Sequence, residues 1–451
     1  MTTHQVVFLL LDLALIVVLA RLFGAAARRL GQPPVIGEIL AGILVGPTLF
    51  GNGFSAAVFP TDTRPMFAAL ANVGVAIFMF MVGLELDGRL LRGRGRIAVS
   101  VSAGSIVLPF GLGIALGFYL LQNHSAEHRL GFLLFIGAAM SVTAFPVLAR
   151  ILTDRGMTKT MLGGLALTCA AADDVLAWTL LAGVVMVSGN AGGEQILVLL
   201  FPLYVAVMFL VVRPLLRRVI TEDSTLRTGQ LALILVGVLV SGAVTEWTGM
   251  HFIFGAFLFG AMIPRSGTER LRGALIQGLG EFNTTLLLPV FFIVAGLKVD
   301  LSGLGLTGFG ELGLVLLAAI GGKFGGAYAA ARLYRLPARK SAALATLMNT
   351  RGLTELIILS VGLQLGILDQ KMYSIMVVMA VATTAMAGPL LNLVYPPSRI
   401  EQDKQIEAHL TVCPRQAEPE PSVDKGRGAD RVMNSRRRLV VSDAVPSASS
   451  L

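Results

Sequence analysis

Two adjacent aspartates, Asp173 and Asp174, interrupt an apolar stretch, 163–186, that is long enough to cross a membrane. A carboxylate at the centre of a spanning helix costs about 2.5–3.5 kcal/mol on insertion scales. A neighbouring like charge makes simultaneous ionisation harder still. A helix that only filled the bilayer has no use for such a pair, so the stretch reads as an intramembrane site for protons or cations. The opposite charge at comparable depth is Lys323, set among Gly321, Gly322, Gly325 and Gly326. A buried ammonium needs a carboxylate partner. The expectation is that Asp173 pairs with Lys323, while Asp174 faces a cavity and holds either a proton or a metal ion, a monovalent cation. Hard cations take oxygen ligands, and Thr143, Ser141, Asn349, Thr350 and freed backbone carbonyls are the expected helpers.

The elements that must position these residues are membrane helices. Hydrophobic residues make up 55% of the chain and charged residues only 14%, against about 25% charged in a soluble globular protein. The apolar runs are continuous and lack period-two alternation, which gives an all-α polytopic membrane protein rather than a barrel. Thirteen spans are expected, near residues 5–27, 34–48, 67–86, 98–121, 131–152, 160–188, 195–213, 228–247, 251–264, 282–298, 308–332, 341–366 and 371–396. The first run, Val6 to Ala20, follows a leader without Lys or Arg and contains Asp12, so it reads as a retained helix rather than a signal peptide.

The loops orient the spans. Those after odd-numbered spans carry Arg28 and Arg29; Arg89, Arg92, Arg94 and Arg96; Arg155 and Lys159; Arg213, Arg217 and Arg218; Arg265, Arg270 and Arg272; and Arg335, Arg339 and Lys340. Those after even-numbered spans offer little beyond Arg64, Arg129, Lys298 and Lys371. By the Lys/Arg rule the N-terminus is outside and the C-terminus cytoplasmic. The expected location is the plasma (inner) membrane. Residues 397–451 are rich in Pro, Ser and mixed charge, and read as a disordered cytoplasmic tail. Its cluster Arg436, Arg437 and Arg438 could meet anionic membrane lipid, with a solvated tail as the plainer alternative.

An internal repeat is visible. Span three ends in Phe78 to Asp87 with Gly83-Leu84 inside, and span ten ends in Phe291 to Asp300 with Gly296-Leu297 inside. Span two carries Gly42 and Pro47 where span nine carries Gly260 and Pro264. The matched spans lie seven apart, and an odd offset inverts the second copy, as in many secondary transporters. Such proteins bind near the midplane at helices interrupted in corresponding positions. Span five has Ser141, Thr143 and Pro146; span twelve has Asn349, Thr350, Arg351, Gly352, Thr354 and Glu355. Pro146 lacks an N–H and clashes with a preceding turn. Two crossed discontinuous helices are therefore expected, against a plainer reading of a kink plus an Arg351–Glu355 pair at i,i+4. Glu38 either lines a cytoplasmic funnel or bonds a neighbouring helix, Glu246 and Trp247 belong at an interface, and Asp12 is unexplained.

The run Gln32 to Pro47 resembles the second helix of the monovalent cation:proton antiporter-2 family. Ser141 to Arg150, Asp173-Asp174 with Val175 to Trp178, and Asn349 to Glu355 resemble that family's later helices. The resemblance spans residues 1–396. It implies a sodium(potassium)/proton exchanger, antiporting Na+ or K+ against H+. It also implies a homodimer in which a core of spans 4–6 and 11–13 slides like an elevator against a scaffold of spans 1–3 and 8–10. Relatives with paired aspartates and a lysine at this place are expected to be electrogenic, with Asp174 holding the ion and Asp173 the lysine. Potassium-efflux relatives carry a large nucleotide-binding regulatory domain, and the short tail here points to a plain antiporter.

Other classes fare worse. An inverted-repeat symporter for an organic anion is the alternative, since half-helix N-termini could hold a carboxylate, but Asp173 and Asp174 would repel it. A sensor would need a signalling domain. Cys169 and Cys413 form no metal cluster or disulfide framework, and the five histidines show no HxxH or HExxH spacing. The net charge of +9 comes with no basic, aromatic-interleaved face for nucleic acid. Neither an enzyme nor a cofactor is expected.

Overall fold

The computed structural model of the chain describes residues 3–60, 62–85, 95–124, 128–158, 160–188, 200–220, 228–248, 250–264 and 268–402. Among them there is no strand. The first half holds α1 (Thr3–Arg29), α2 (Pro34–Val45), α3 (Pro47–Val58), α4 (Arg64–Glu85), α5 (Gly95–Leu120), α6 (Arg129–Ser141), α7 (Phe145–Asp154) and α8 (Met161–Ser188). Then follow α9 (Leu200–Val207), a π-helical turn (Met208–Val212) and α10 (Arg213–Val219). The second half holds α11 (Thr228–Trp247), α12 (Phe252–Met262), α13 (Glu269–Phe282), a π-helical turn (Asn283–Leu287), α14 (Leu288–Leu297), α15 (Gly305–Leu333), α16 (Ala338–Met348), α17 (Leu353–Gln364) and α18 (Gln370–Val394).

Eleven continuous or near-continuous helices among the described residues are long and apolar enough to span a bilayer. The two other expected spans, 251–264 and 341–366, fall on the short α12 and on the pair α16–α17. Large apolar side chains such as Leu10, Leu11, Leu22, Leu210, Leu306 and Leu317 are exposed. A soluble protein would hide such residues, whereas hydrocarbon tolerates them, and the chain is a multi-pass membrane protein. Three expected boundaries shift. Helix continues past residue 48 into α3, where Gly51 bends the chain at φ 76°. The tenth span begins earlier, because α13 runs into α14 through the π turn, and its charged first turns masked the continuity. Of the expected tail, 397–402 is helical with Ile400 buried, and 403–451 lies outside the described residues.

Small residues let the helices meet backbone to backbone. A Cβ on Gly83 of α4 would lie 2.0 Å from the Phe257 carbonyl oxygen of α12, and one on Gly260 of α12 would lie 2.1 Å from the Phe80 carbonyl oxygen of α4. The repeat mates do the same elsewhere. A Cβ on Gly296 of α14 would be 2.5 Å from the Ile39 carbonyl oxygen of α2, and one on Gly42 of α2 2.4 Å from the Ile293 carbonyl oxygen of α14. Exchanging each glycine for its mate turns one contact into the other, which is the pattern that a two-fold repeat produces. Glycine pairs of this kind are a common means of close helix approach in lipid.

The helix breaks are short. Between α6 and α7 the chain unwinds at Val142, Thr143 and Ala144, and between α16 and α17 at Asn349 to Gly352. Pro146 is not itself in the break, as its missing N–H had suggested. It sits in the first turn of α7, where an unpartnered N–H would have been an orphan anyway.

Candidate functional site

The two breaks meet. Ala144 N–H donates to the Thr350 carbonyl at 3.0 Å, and Gly352 lies so close to α7 that a Cβ there would sit 2.4 Å from Val147 Cγ2. Each half-helix that ends at a break leaves carbonyls without intrahelical partners and carries the negative end of the helix dipole. Two cations serve the end of α6. Arg351, fully buried, donates from Nη1 to the Ala139 carbonyl at 2.7 Å and from Nη2 to the Met140 carbonyl at 2.6 Å. Lys323, also fully buried, donates from Nζ to the Ser141 carbonyl and lies 3.4 Å from that of Ser105. Arg351 and Glu355 do form the i,i+4 ion pair, at 2.8 Å. The guanidinium nevertheless reaches beyond its own helix, so the pair also joins the two breaks.

α8 passes the junction at Asp173 and Asp174. Asp173 is surrounded by donors. Lys323 Nζ lies 3.4 Å from its Oδ2, Ser105 Oγ 2.9 Å and Thr143 Oγ1 2.8 Å from the same oxygen, and Ser102 Oγ donates to Oδ1. Each hydroxyl has one proton and a second acceptor within reach: the Cys169 carbonyl at 3.2 Å for Ser102, the Ser102 carbonyl at 3.0 Å for Ser105, and the Met348 carbonyl at 3.0 Å for Thr143. Asp174 is the opposite case. It is 3% exposed, and neither of its carboxylate oxygens has a hydrogen-bond partner. The Phe145 N–H, at the start of α7, acts on it electrostatically without completing a hydrogen bond. A buried carboxylate without donors needs a compensating charge, and the positive end of a half-helix is oriented to favour negative charge.

The other expected helpers are placed differently. Ser141 turns its hydroxyl back to the Gly137 carbonyl at 2.8 Å, and Thr350 turns its own to that of Leu347 at 2.8 Å, so each offers the junction its carbonyl instead. Asn349 is buried with Oδ1 unpartnered, as is Oε2 of Glu355. Among the described residues no three His, Cys, Asp or Glu gather into a metal cluster. Sequence reasoning missed Ser102 and Ser105 of α5 and Thr384 of α18, whose Oγ1 lies 3.1 Å from the Arg351 N–H and 2.8 Å from its carbonyl. Their only signal was three-residue spacing beside Gly104 for the serines, and none for Thr384. Of the lesser charges, Glu246 accepts from the Phe252 N–H at 2.7 Å and so caps α12, and Asp12 interacts with Thr63.

Comparison with known proteins places the chain. Residues 14–394 match the family described as sodium/hydrogen exchanger, transmembrane. The Na(+)/H(+) antiporter NhaS4 of Synechocystis sp. is 41% identical over 408 residues, covering 88% of this chain and 99% of that protein. Cation/H(+) antiporter 20 of Arabidopsis thaliana is 38% identical over 412 residues, 87% of this chain but 49% of that protein, so the chain spans about half of the plant relative. The structure of the sodium proton antiporter MjNhaP1 from Methanocaldococcus jannaschii at pH 8 aligns with a TM-score of 0.64 over 88% of this chain and 99% of that one. At 16% identity that is a likeness of fold. On the family match and the near full-length relative, the chain belongs to the sodium/hydrogen exchanger family.

Proposed function

We propose that the protein is a secondary active antiporter that exchanges a monovalent cation, Na+ or K+, for protons, with Asp174 as the carboxylate that holds one or the other. The observation that carries this reading is the contrast between the neighbours: Asp173 has four donors including Lys323, and Asp174 has two buried oxygens with no hydrogen-bond partner. Asp173 is neutralised within the protein, so the second charge is left to a mobile ion. Asn349 Oδ1 is a further oxygen for a hard cation. Family membership and relatives named as Na(+)/H(+) and cation/H(+) antiporters support the same reading. An organic-anion symporter fits poorly, because a carboxylate substrate would meet a second carboxylate.

Exchange requires that Asp174 face one side at a time. We assign α5–α8 and α15–α18 to a moving core and α1–α4 with α11–α14 to a scaffold, working as an elevator in a homodimer. Asp174 alone exchanges one proton for one monovalent cation, so electrogenic transport needs a second proton, which Lys323 gives up when the bound cation breaks its pairing with Asp173. The chain sits in the plasma (inner) membrane with its N-terminus outside and its Arg-rich loops and C-terminus in the cytoplasm.

Reconstitution tests this. Liposomes holding the protein and an entrapped pH dye, given an inside-acid gradient, lose that gradient when the transported cation is added outside. Na+, K+ and Li+ are compared, and Asp174→Asn abolishes the response to the effective one. A response that survives in Asp174→Asn removes Asp174 from the transport step.

A further inference from the structure

On the Arg-rich face a cavity of about 390 Å³ opens between the α1–α2 connection and the ends of α7 and α18. Its lining includes Arg28, Gln32, Arg150, Asp154, Arg155 and Gly388. Three guanidinium groups thus face one carboxylate, and Asp154 is already engaged by Arg150 Nε at 3.0 Å. Arg155 is half-buried and held by neutral acceptors only, the Gly388 carbonyl at 3.1 Å and Asn392 Oδ1. Among the described residues it forms no ion pair, and burial holds its pKa below the usual arginine value. A guanidinium carries five donors in a planar fork. Arg155 spends two groups on anchoring, and the charge left over has no counter-ion. The Arg28 side chain is exposed at the last turn of α1, on the opposite wall.

We propose that this cavity binds the phosphate of an anionic lipid headgroup, bridging Arg28 on α1 to Arg155 beyond α7. Planar, forked donors suit a phosphate oxygen pair. The cavity lies where spanning helices end in short basic loops, the depth of the headgroups, and basic pockets between helices on that face attract anionic lipids. Arg28 and Arg155 belong to different parts of the proposed elevator. One hydrogen bond already joins those parts here, from Gln32 Nε2 to the Ala385 carbonyl at 3.0 Å. An occupying phosphate adds a charged tie at the same junction and favours the arrangement seen in the structure.

The test needs no transport readout. Full-length protein, delipidated in a neutral detergent, is titrated with phosphatidylglycerol, with phosphatidylcholine, and with inorganic phosphate, and binding is followed by native mass spectrometry and by the unfolding midpoint. The expected result is saturable binding of phosphatidylglycerol alone. That binding weakens about fivefold in Arg28→Gln or Arg155→Gln and about twenty-five-fold in the double variant. Arg217→Gln, an exposed charge away from the cavity, leaves it unchanged. Equal binding of phosphatidylcholine, equal weakening by Arg217→Gln, or full competition by inorganic phosphate at matched concentration would each overturn the lipid assignment.

Discussion

Asp173 and Asp174 differ by one position and by 100° of helix rotation, and that rotation decides their chemistry. The side chain turned toward α5 and α15 meets three hydroxyls and an ammonium; the one turned toward the start of α7 meets no hydrogen-bonding side chain. Opposite stability effects follow. Asp173→Asn strips the buried Lys323 of its counter-charge, and breaking a buried pair from one side costs about 3–5 kcal/mol. Asp174→Asn removes a carboxylate that already lacks partners, so it leaves the protein as stable or makes it more so. Thermal unfolding midpoints of the two variants in detergent, read against the wild type, check the order. Equal losses in both would mean that Asp174 has a structural partner.

At the scale of elements, the ends of the helices are tied as deliberately as the breaks. His124, after α5, is 3% exposed and sits between Asp369, whose Oδ2 is 2.6 Å from Nδ1, and Glu311 of α15, whose Oε2 is 3.0 Å from Nε2. Asn123 adds a bond to Glu311 at 2.7 Å, and Asp369 caps α18 through the Met372 N–H at 2.7 Å. Burial alone would lower the His124 pKa, but the hydrogen bonds to Asp369 and Glu311 outweigh it and the value is raised above 6.5. Asp369 is likewise opposed by burial, yet its bonds to His124 and Met372 bring it below 3.8. The histidine's contribution is complete below pH 6.5 and disappears as pH rises through its raised pKa; that of Asp369 is complete above pH 3.8 and is lost as pH falls through its lowered one. The unfolding midpoint is therefore highest between those limits and falls on the alkaline side. His124→Gln should flatten the alkaline fall, and an unchanged slope would assign it to other groups.

Asp173, Asp174, Lys323, Arg351 and Glu355 stood out in the sequence because charge inside an apolar window is costly and therefore conspicuous. Ser102, Ser105 and Thr384 did not, since a hydroxyl passes unnoticed in a spanning helix by bonding its own backbone. Proline drew attention to the right helix but the wrong residue: the unwound positions are 142–144, and Pro146 only begins the next half-helix. The second break was readable from Asn349 to Gly352, where polar backbone needs partners. That Arg351 crosses to cap α6 depends on packing, which spacing along one helix cannot reveal.

For the whole molecule, the repeat written in Gly42, Gly83, Gly260 and Gly296 becomes a pair of exchanged helix contacts, and the two breaks meet between the copies. The proposed elevator requires the α1–α2 connection to move against α18. Gln32 and Ala385 are in hydrogen-bond contact across that junction. In a Cys413→Ala background, the double variant Gln32→Cys, Ala385→Cys should stop exchanging ions in liposomes when bridged by a bifunctional methanethiosulfonate long enough to replace the Gln32 side chain, and resume on reduction. Continued exchange by the cross-linked protein would mean that these parts do not need to separate.

If Asp174 holds a proton and a cation in turn, cation binding must release protons. Purified protein in weakly buffered detergent is mixed with the transported cation while a pH dye reports released protons. Release from the wild type should saturate with cation, and Asp174→Asn should release no protons. Release of the same size from Asp174→Asn would contradict that role of Asp174 and move the exchange to another group.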